Sequence, residues 1–423
     1  MPPPRNGERL SAADASNVVM DARDQVNVFL MAGILGGGGF VSADGGIDTD
    51  LLRAAIAGRL ADPAFTDLAR FSQRVHLEGS LRWETCELDL AWHVRLVGPV
   101  NGREGLADLC GTLMTVTLPL DRPMWELLIV PGASPRGPGV ILRVHHAVAD
   151  GVTGVRLVQR LFDNAPGPEP APSRPVPASA PTRLRWSTLM TSVSRVLAVF
   201  RATVPPTVLL GPIGAKRGVA FTDVELGALA RAAKAVGATV NDALLAAVTV
   251  AAETALRADG RPVPPVLPAS VPVALADRGA SGNAVGVMLV PLRTGESDAG
   301  VRLARIAAVT RSAKSEARAQ GTYELTRTRW GSRLFAWLAR RQRFIALFVT
   351  NVHGPDRPIL IGGAPLEHAW PVAPIQGNVR LGVAAMSYAG RFGVSVHVDA
   401  GALRAGVAGR AIGDELARIA ARH

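Results

Sequence analysis

A chain of 423 residues that is 48 % hydrophobic is long enough for two or three domains or one two-lobed enzyme, and too apolar to be disordered. Its net charge of +11 does not read as a nucleic-acid footprint. Lysine occurs only at Lys216, Lys234 and Lys314, and the remaining positive charge is scattered arginine with no dense basic arm. Such a surface suits anionic lipid, or the phosphates of a nucleotide-like molecule.

The opening MPPPRNGERLSAAD lacks the apolar stretch of a signal peptide. No run of about 18 apolar residues free of charge occurs, so no spanning helix is expected. Cys86 and Cys110 form neither a CxxC pair nor a disulfide ladder. Together these features give the expectation of a cytosolic protein.

In chain order, GILGGGGF (Gly33–Phe40) lacks the Lys-Ser/Thr of a phosphate loop and reads as a flexible turn. DLLRAAIAGRLA from Asp50 has helical spacing. WELLIV (Trp125–Val130) and GVILRVHH (Gly139–His146) read as strands joined in a hairpin, with a helix from Gly154 to Phe162. The Pro- and Ala-dense stretch Asn164–Arg183 reads as an extended, semi-rigid linker, followed by a helix that ends near Phe200. A helix is expected to open at Thr222 and Glu225, which have capping-box spacing, and to end at Gly237. Thr239 should cap the next one, VNDALLAAVTVAAETAL. Strand-like runs follow at ASVPVAL, GVMLVPL, RLGVAAMSYAG and RFGVSVHVD, the last two joined by a hairpin turn at SYAGR. The order implies mixed α/β sheets in two lobes. The division is 1–163, a crossover over 164–205, and 206–423.

The most informative stretch is VILRVHHAVADGVTGVRLV. On a strand His145 and His146 point to opposite faces, so they do not grip one ion, and no HExxH or HxH accompanies them. No metal is expected. Two readings remain for the pair. They are structural histidines at a strand end, or one faces a site as a neutral general base, for which a reference pKa of about 6.5 is suited. Asp150 either caps the helix that starts near Gly151 or holds an arginine and fixes the turn, with Gly151 supplying tight backbone. Arg278 is one candidate partner. No GxSxG elbow is present, so a histidine base without a protein nucleophile points to direct transfer between two bound substrates.

HHAVADG matches the HHxxxDG pattern of the coenzyme A-dependent acyltransferases, and the chain resembles their bacterial wax ester synthase/diacylglycerol acyltransferase branch. Supporting stretches run almost end to end: LSAADA, LDLAWHVR, PLDRPMWE, GATVNDALLAAV, VPV, TNVHGP, SYAGR and a strand ending at Asp399. The resemblance implies a two-lobed chloramphenicol acetyltransferase-like fold of α/β sandwiches, with a tunnel between the lobes. It implies transfer of a fatty acyl group from acyl-coenzyme A, a substrate and not a resident cofactor, to diacylglycerol or a long-chain alcohol. His146 would be the base, supported by His145, Asp150 and Gly151. Asn241 and Asp242 would stabilise the oxyanion or orient substrate, or else only support a helix start. Trp125 would pack and line the acyl tunnel.

This chain departs from the family pattern at His353, where proline is usual, and at VNVFLMAG, beside the expected substrate. Arg327–Val349 mixes arginine with aromatic residues. It suits either a basic helix lying on lipid, as for a protein peripheral to the inner face of the plasma membrane, or a core helix with a solvated arginine face. Two rival functions are an acyltransferase or condensation-type enzyme working on carrier-bound intermediates, and a non-catalytic lipid-binding relative. The intact HHAVADG speaks against the second.

Overall fold

The computed structural model describes residues 7–22, 24–77, 80–149, 151–162, 204–274, 285–317 and 337–422. The linker and helix expected between Asn164 and Phe200, Asp150 and Arg278 lie outside them.

In the first half, α1 (Ala12–Met20) leads to β1 (Val28–Leu35) and α2 (Thr49–Ala61), then a 3-10 stretch over Pro63–Ser72. A small hairpin of β2 (Gln73–His76) and β3 (Arg82–Thr85) follows, then the short α3 (Leu90–His93), β4 (Val94–Leu96) and α4 (Gly102–Leu113). β5 (Trp125–Ser134), β6 (Gly137–His145) and α5 (Gly151–Phe162) complete it. The second half holds β7 (Arg217–Glu225), α6 (Leu226–Ala235), α7 (Val240–Ala258), β8 (Val266–Ala274), β9 (Val285–Arg293) and α8 (Ala299–Ala317). It continues with β10 (Leu347–His353), β11 (Leu360–Ile361), β12 (Ala364–Val372), β13 (Leu381–Tyr388), β14 (Arg391–Asp399) and α9 (Ala405–Ala420).

These strands form two six-stranded sheets, ordered β11-β12-β1-β6-β5-β4 and β7-β14-β13-β10-β8-β9, each with its own apolar core. The expected mixed α/β architecture is therefore present. One connection was not visible in the sequence: β12, late in the chain, pairs with β1, and β11 pairs with β12 to complete the first sheet.

Local sequence explains most elements. Thr239 caps α7 in a reciprocal box with Asp242, as expected. At SYAGR, Ala389 and Gly390 both take positive φ, the geometry of a two-residue hairpin, and join β13 to β14.

Three expectations change. Thr222 does not open a helix: it lies in β7 opposite Val394, and Glu225 caps α6 with its own side chain. Nine residues of pairing with β14 outweigh a four-residue capping signal. The Arg327–Val349 stretch is not one helix, because Leu347–Val349 begin β10, where Val349 is fully buried. GILGGGGF is not simply a flexible turn. Its first residues end β1, and a Cβ on Gly39 would sit 2.0 Å from the Gly362 carbonyl oxygen, so the glycines let two backbone turns touch.

Trp125 is packing. Its ring is fully buried, stacks on His93 with centroids 4.6 Å apart, and donates from Nε1 to the Phe71 carbonyl at 2.8 Å. No single helix among the described residues is long and apolar enough to cross a membrane.

Candidate active site at the end of the central hairpin

β6 runs antiparallel between β1 and β5 and ends at His145, opposite Val28. His146 is therefore not on the strand. It is the first residue of the turn that leads to α5. His145 closes the strand and is buried, and His146 opens the turn and is partly exposed, so a turn and not the alternation of a pleat separates the pair.

His145 is completely buried. Its Nδ1 accepts the Ala147 N–H at 3.0 Å, which places the proton of a neutral ring on Nε2. That nitrogen faces Asp21 Oδ2 at 3.5 Å, and Asp21 Oδ1 accepts the Asn27 N–H at 2.7 Å. Arg143, two residues before His145 and on the same face, is buried and donates to Glu126 at 2.7 Å. Arg95 reaches the other oxygen of that carboxylate at 2.6 Å. His145 is thus anchored in a buried polar layer at the start of the turn.

His146 is held by its backbone. Its N–H donates to the Asn27 carbonyl at 3.0 Å, and its own carbonyl accepts from Asn17 Nδ2 at 3.3 Å. The side chain remains partly exposed and meets Phe29 edge-on, with centroids 5.3 Å apart. Burial, with a smaller contribution from His145, pushes its pKa down to about 4. The ring is therefore uncharged at neutral pH and has a lone pair to offer. Gly154 on α5 lets Phe29 approach: a Cβ there would lie 2.7 Å from its ring.

The residues that hold His146 were not singled out in the sequence. Asn27 donates to Asn17 and accepts from Gln376 Nε2 at 2.7 Å, while Gln25 accepts the Gly377 N–H at 2.6 Å. The late segment after β12 is thereby clipped to the strand beside His146. The one sequence signal was that Asn27 and Phe29 fall in VNVFLMAG, where the chain departs from the family pattern.

Side chains of β14 bond to the backbone of β12 and of the residue that follows it. Ser395 donates to the Pro371 carbonyl, and His397 Nδ1 donates to that of Ala373 at 2.8 Å. Burial lowers the His397 pKa to about 4. A Cβ on Gly393 would sit 2.2 Å from the Ala369 carbonyl oxygen, which is why that register position has no side chain.

Asn241 and Asp242 open α7. Asp242 Oδ2 accepts from the Thr239 N–H at 2.8 Å and its hydroxyl at 2.7 Å, and Oδ1 accepts from buried Thr310 at 2.6 Å. This carboxylate is fully occupied in capping α7 and tying it to α8. Asn241 lies at the second helical position and is partly exposed; among the described residues no hydrogen bond engages its side chain. His353, at the other departure, pairs its Nδ1 with the Ser387 hydroxyl at 2.9 Å.

The sequence profile of the wax ester synthase/diacylglycerol acyltransferase catalytic domain matches residues 10–204, and that of the family's C-terminal domain matches residues 281–418. The chain belongs to this family. A Mycobacterium tuberculosis protein provisionally named diacylglycerol O-acyltransferase is 31 % identical over 398 residues, covering 83 % of each chain. A second protein of that organism with the same provisional name is 28 % identical over 393 residues, covering 83 % of this chain and 85 % of its own. The fold is that of the wax ester synthase/diacylglycerol acyltransferase of Marinobacter aquaeolei VT8, with a TM-score of 0.72 at 23 % identity over 98 % of both chains. Polyketide synthase associated protein 5 of M. tuberculosis gives 0.55 at 17 % identity over the whole of both chains.

Proposed function

We propose that the chain is an O-acyltransferase that moves a long-chain fatty acyl group from acyl-coenzyme A to diacylglycerol, a long-chain alcohol, or both. The observation that carries this reading is His146. In a chain of this family, it is an uncharged imidazole with its backbone fixed on both sides and its ring partly open.

In the proposed step His146 takes the proton of the acceptor hydroxyl as its oxygen attacks the thioester carbonyl. The tetrahedral intermediate collapses with cleavage of the C–S bond, and the imidazolium returns its proton to the departing thiolate. A positioned base of this kind contributes about 10²–10⁴-fold in rate. His145, Asp150 and Gly151 shape the turn that presents it. Asn241, close to the N–H groups at the start of α7, is the residue we assign to the oxyanion or to substrate orientation. Asp242 supports it through the cap. The lobes would be residues 1–163 and 206–423 with the crossover between them, the second lending β11 and β12 to the first.

An apolar product fits an enzyme that works peripherally at a lipid surface. Trp337, 48 % exposed with the Arg341 guanidinium over its ring at 4.4 Å, is the described part of the arginine–aromatic stretch that fits this.

The deciding experiment incubates the protein with labelled palmitoyl-coenzyme A and either diacylglycerol or hexadecanol, then separates the lipids. Labelled triacylglycerol or wax ester is expected. Absence of both, with transfer to or from a carrier-bound acyl group instead, would assign the chain to the condensation type.

A further inference from the structure

A cleft of about 440 Å³ opens at the opposite end of β1 from His146, where Ile34 lines its floor. Ile34 and Val28 are six positions apart on that strand, so the cleft lies about 20 Å from the proposed base. Its walls come from both halves of the chain: the start of α4, the tip of the β5–β6 hairpin, β12, and the β13–β14 hairpin. It belongs to neither the turn nor the polar layer described above.

Its chemistry is unusual for a surface cleft. Arg103, Arg136 and Arg391 line it against a single lining carboxylate, Glu367. Asp223, just behind, holds two of those arginines, Arg103 at 2.9 Å and Arg391. The count leaves one positive charge in excess, and Arg136 makes no ion pair among the described residues. Burial, together with Arg103 and Arg136, holds the His368 imidazole below its ordinary pKa.

Four buried polar atoms on the wall have no hydrogen-bond partner among the described residues: Trp370 Nε1, Arg391 Nε, Glu367 Oε2 and His368 Nδ1, the last 4.0 Å from Asp223 Oδ1. Trp370 is only 1 % exposed, and its ring is clamped between Phe221 and His368 at 4.9 and 5.4 Å, so it cannot turn to find a partner. Buried orphan groups are rare in folded proteins, and each is destabilising unless something binds it. Two N–H donors, one orphan acceptor and a guanidinium without an ion pair among the described residues thus belong to the lining of one cleft.

We infer that this cleft binds a phosphate monoester that carries a neighbouring hydroxyl or amino group. The phosphate oxygens would accept from Arg136, Arg391 Nε and Trp370 Nε1, and the neighbouring group would donate to Glu367 Oε2. The volume suits a molecule between glycerol phosphate and a mononucleotide in size.

The test is calorimetric titration of the full chain with three probes: adenosine 3′,5′-bisphosphate, glycerol 3-phosphate and inorganic phosphate. One or both esters should bind more tightly than inorganic phosphate, and the tighter ester identifies the source as a nucleotide or a lipid precursor. Arg136→Ala, at an exposed hairpin tip, should weaken ester binding about tenfold or more at unchanged melting temperature. Trp370→Phe, which keeps the ring and deletes the N–H, should weaken it as well. No ester binding below millimolar concentration overturns the proposal. So does inorganic phosphate binding as tightly as both esters, or ester affinity unchanged in Arg136→Ala. Neither variant touches the turn that carries His146, so labelled-ester synthesis reads the acyltransferase assignment separately.

Discussion

At the Val28 end of β1, His146 is surrounded by an aromatic edge, backbone amides and a second imidazole, and burial keeps it uncharged. At the Ile34 end, cations crowd a cleft whose carboxylates do not balance them. The same strand and the same partner, β12, serve both places. The contrast shows that the seam between the sheets is not one uniform channel. At one end burial keeps a single imidazole uncharged beside a paired ionic layer; at the other, three arginines line a cleft against one lining carboxylate. Desolvation keeps the imidazole unprotonated and also makes it a weaker base, so in the proposed step the proton moves as the C–O bond forms rather than before it.

The sharpest way to break the comparison is to remove the neutral end's working group. His146→Ala should lower ester synthesis from labelled palmitoyl-coenzyme A by about 10²–10⁴-fold with no change in melting temperature, since the fold holds this residue by its backbone. Wild-type turnover in that variant would remove the mechanism.

Acid should act next. His93, His146 and His397 are each lowered from 6.5 to about 4, chiefly by burial. Between those values the unfolded chain binds more protons than the folded one, so stability falls as pH drops through 6.5 and the loss is complete near 4. Melting temperatures across that window should decline by an amount worth several kcal/mol in sum. The pH–rate profile on kcat/KM should lack a limb at the ordinary histidine value; a limb near 6.5 would mean that His146 is not desolvated.

Asp21→Asn turns a carboxylate that faces a buried N–H into an amide that can oppose it with another donor. Stability should fall by about 1–3 kcal/mol, and turnover should fall with it as the turn loosens. Thr310→Val tests the smallest effect on turnover. It strips one hydrogen bond from the buried Asp242 carboxylate and should cost about 1–3 kcal/mol in chemical denaturation. Activity per folded molecule should be unchanged if Asp242 only supports Asn241.

What the sequence made legible was local or motif-borne. Thr239 and Asp242 are three residues apart and read as a cap; Ala389-Gly390 read as a turn; HHAVADG stood out by its rarity. The misreading at Thr222 and Glu225 came from the same kind of short signal, overridden by a strand whose partner lies far along the chain. The supports of His146 were invisible for that reason. Asn27 meets Gln376, and His145 meets Asp21, across separations that no local pattern encodes. β12 escaped notice because APLEHAWPV, broken by two prolines, lacks clean alternation; its place beside β1 is set by pairing.

That late strand also bears on how the protein is made. While the ribosome is still extending the chain, β1 has β6 on one side and nothing on the other, because Ala364–Val372 has not yet emerged. An apolar strand with an open hydrogen-bonding edge invites pairing with other nascent chains. The histidine turn would mature only after Ala364–Val372 has been made, and any product truncated before Val372 would carry the motif on an unfinished, self-associating sheet.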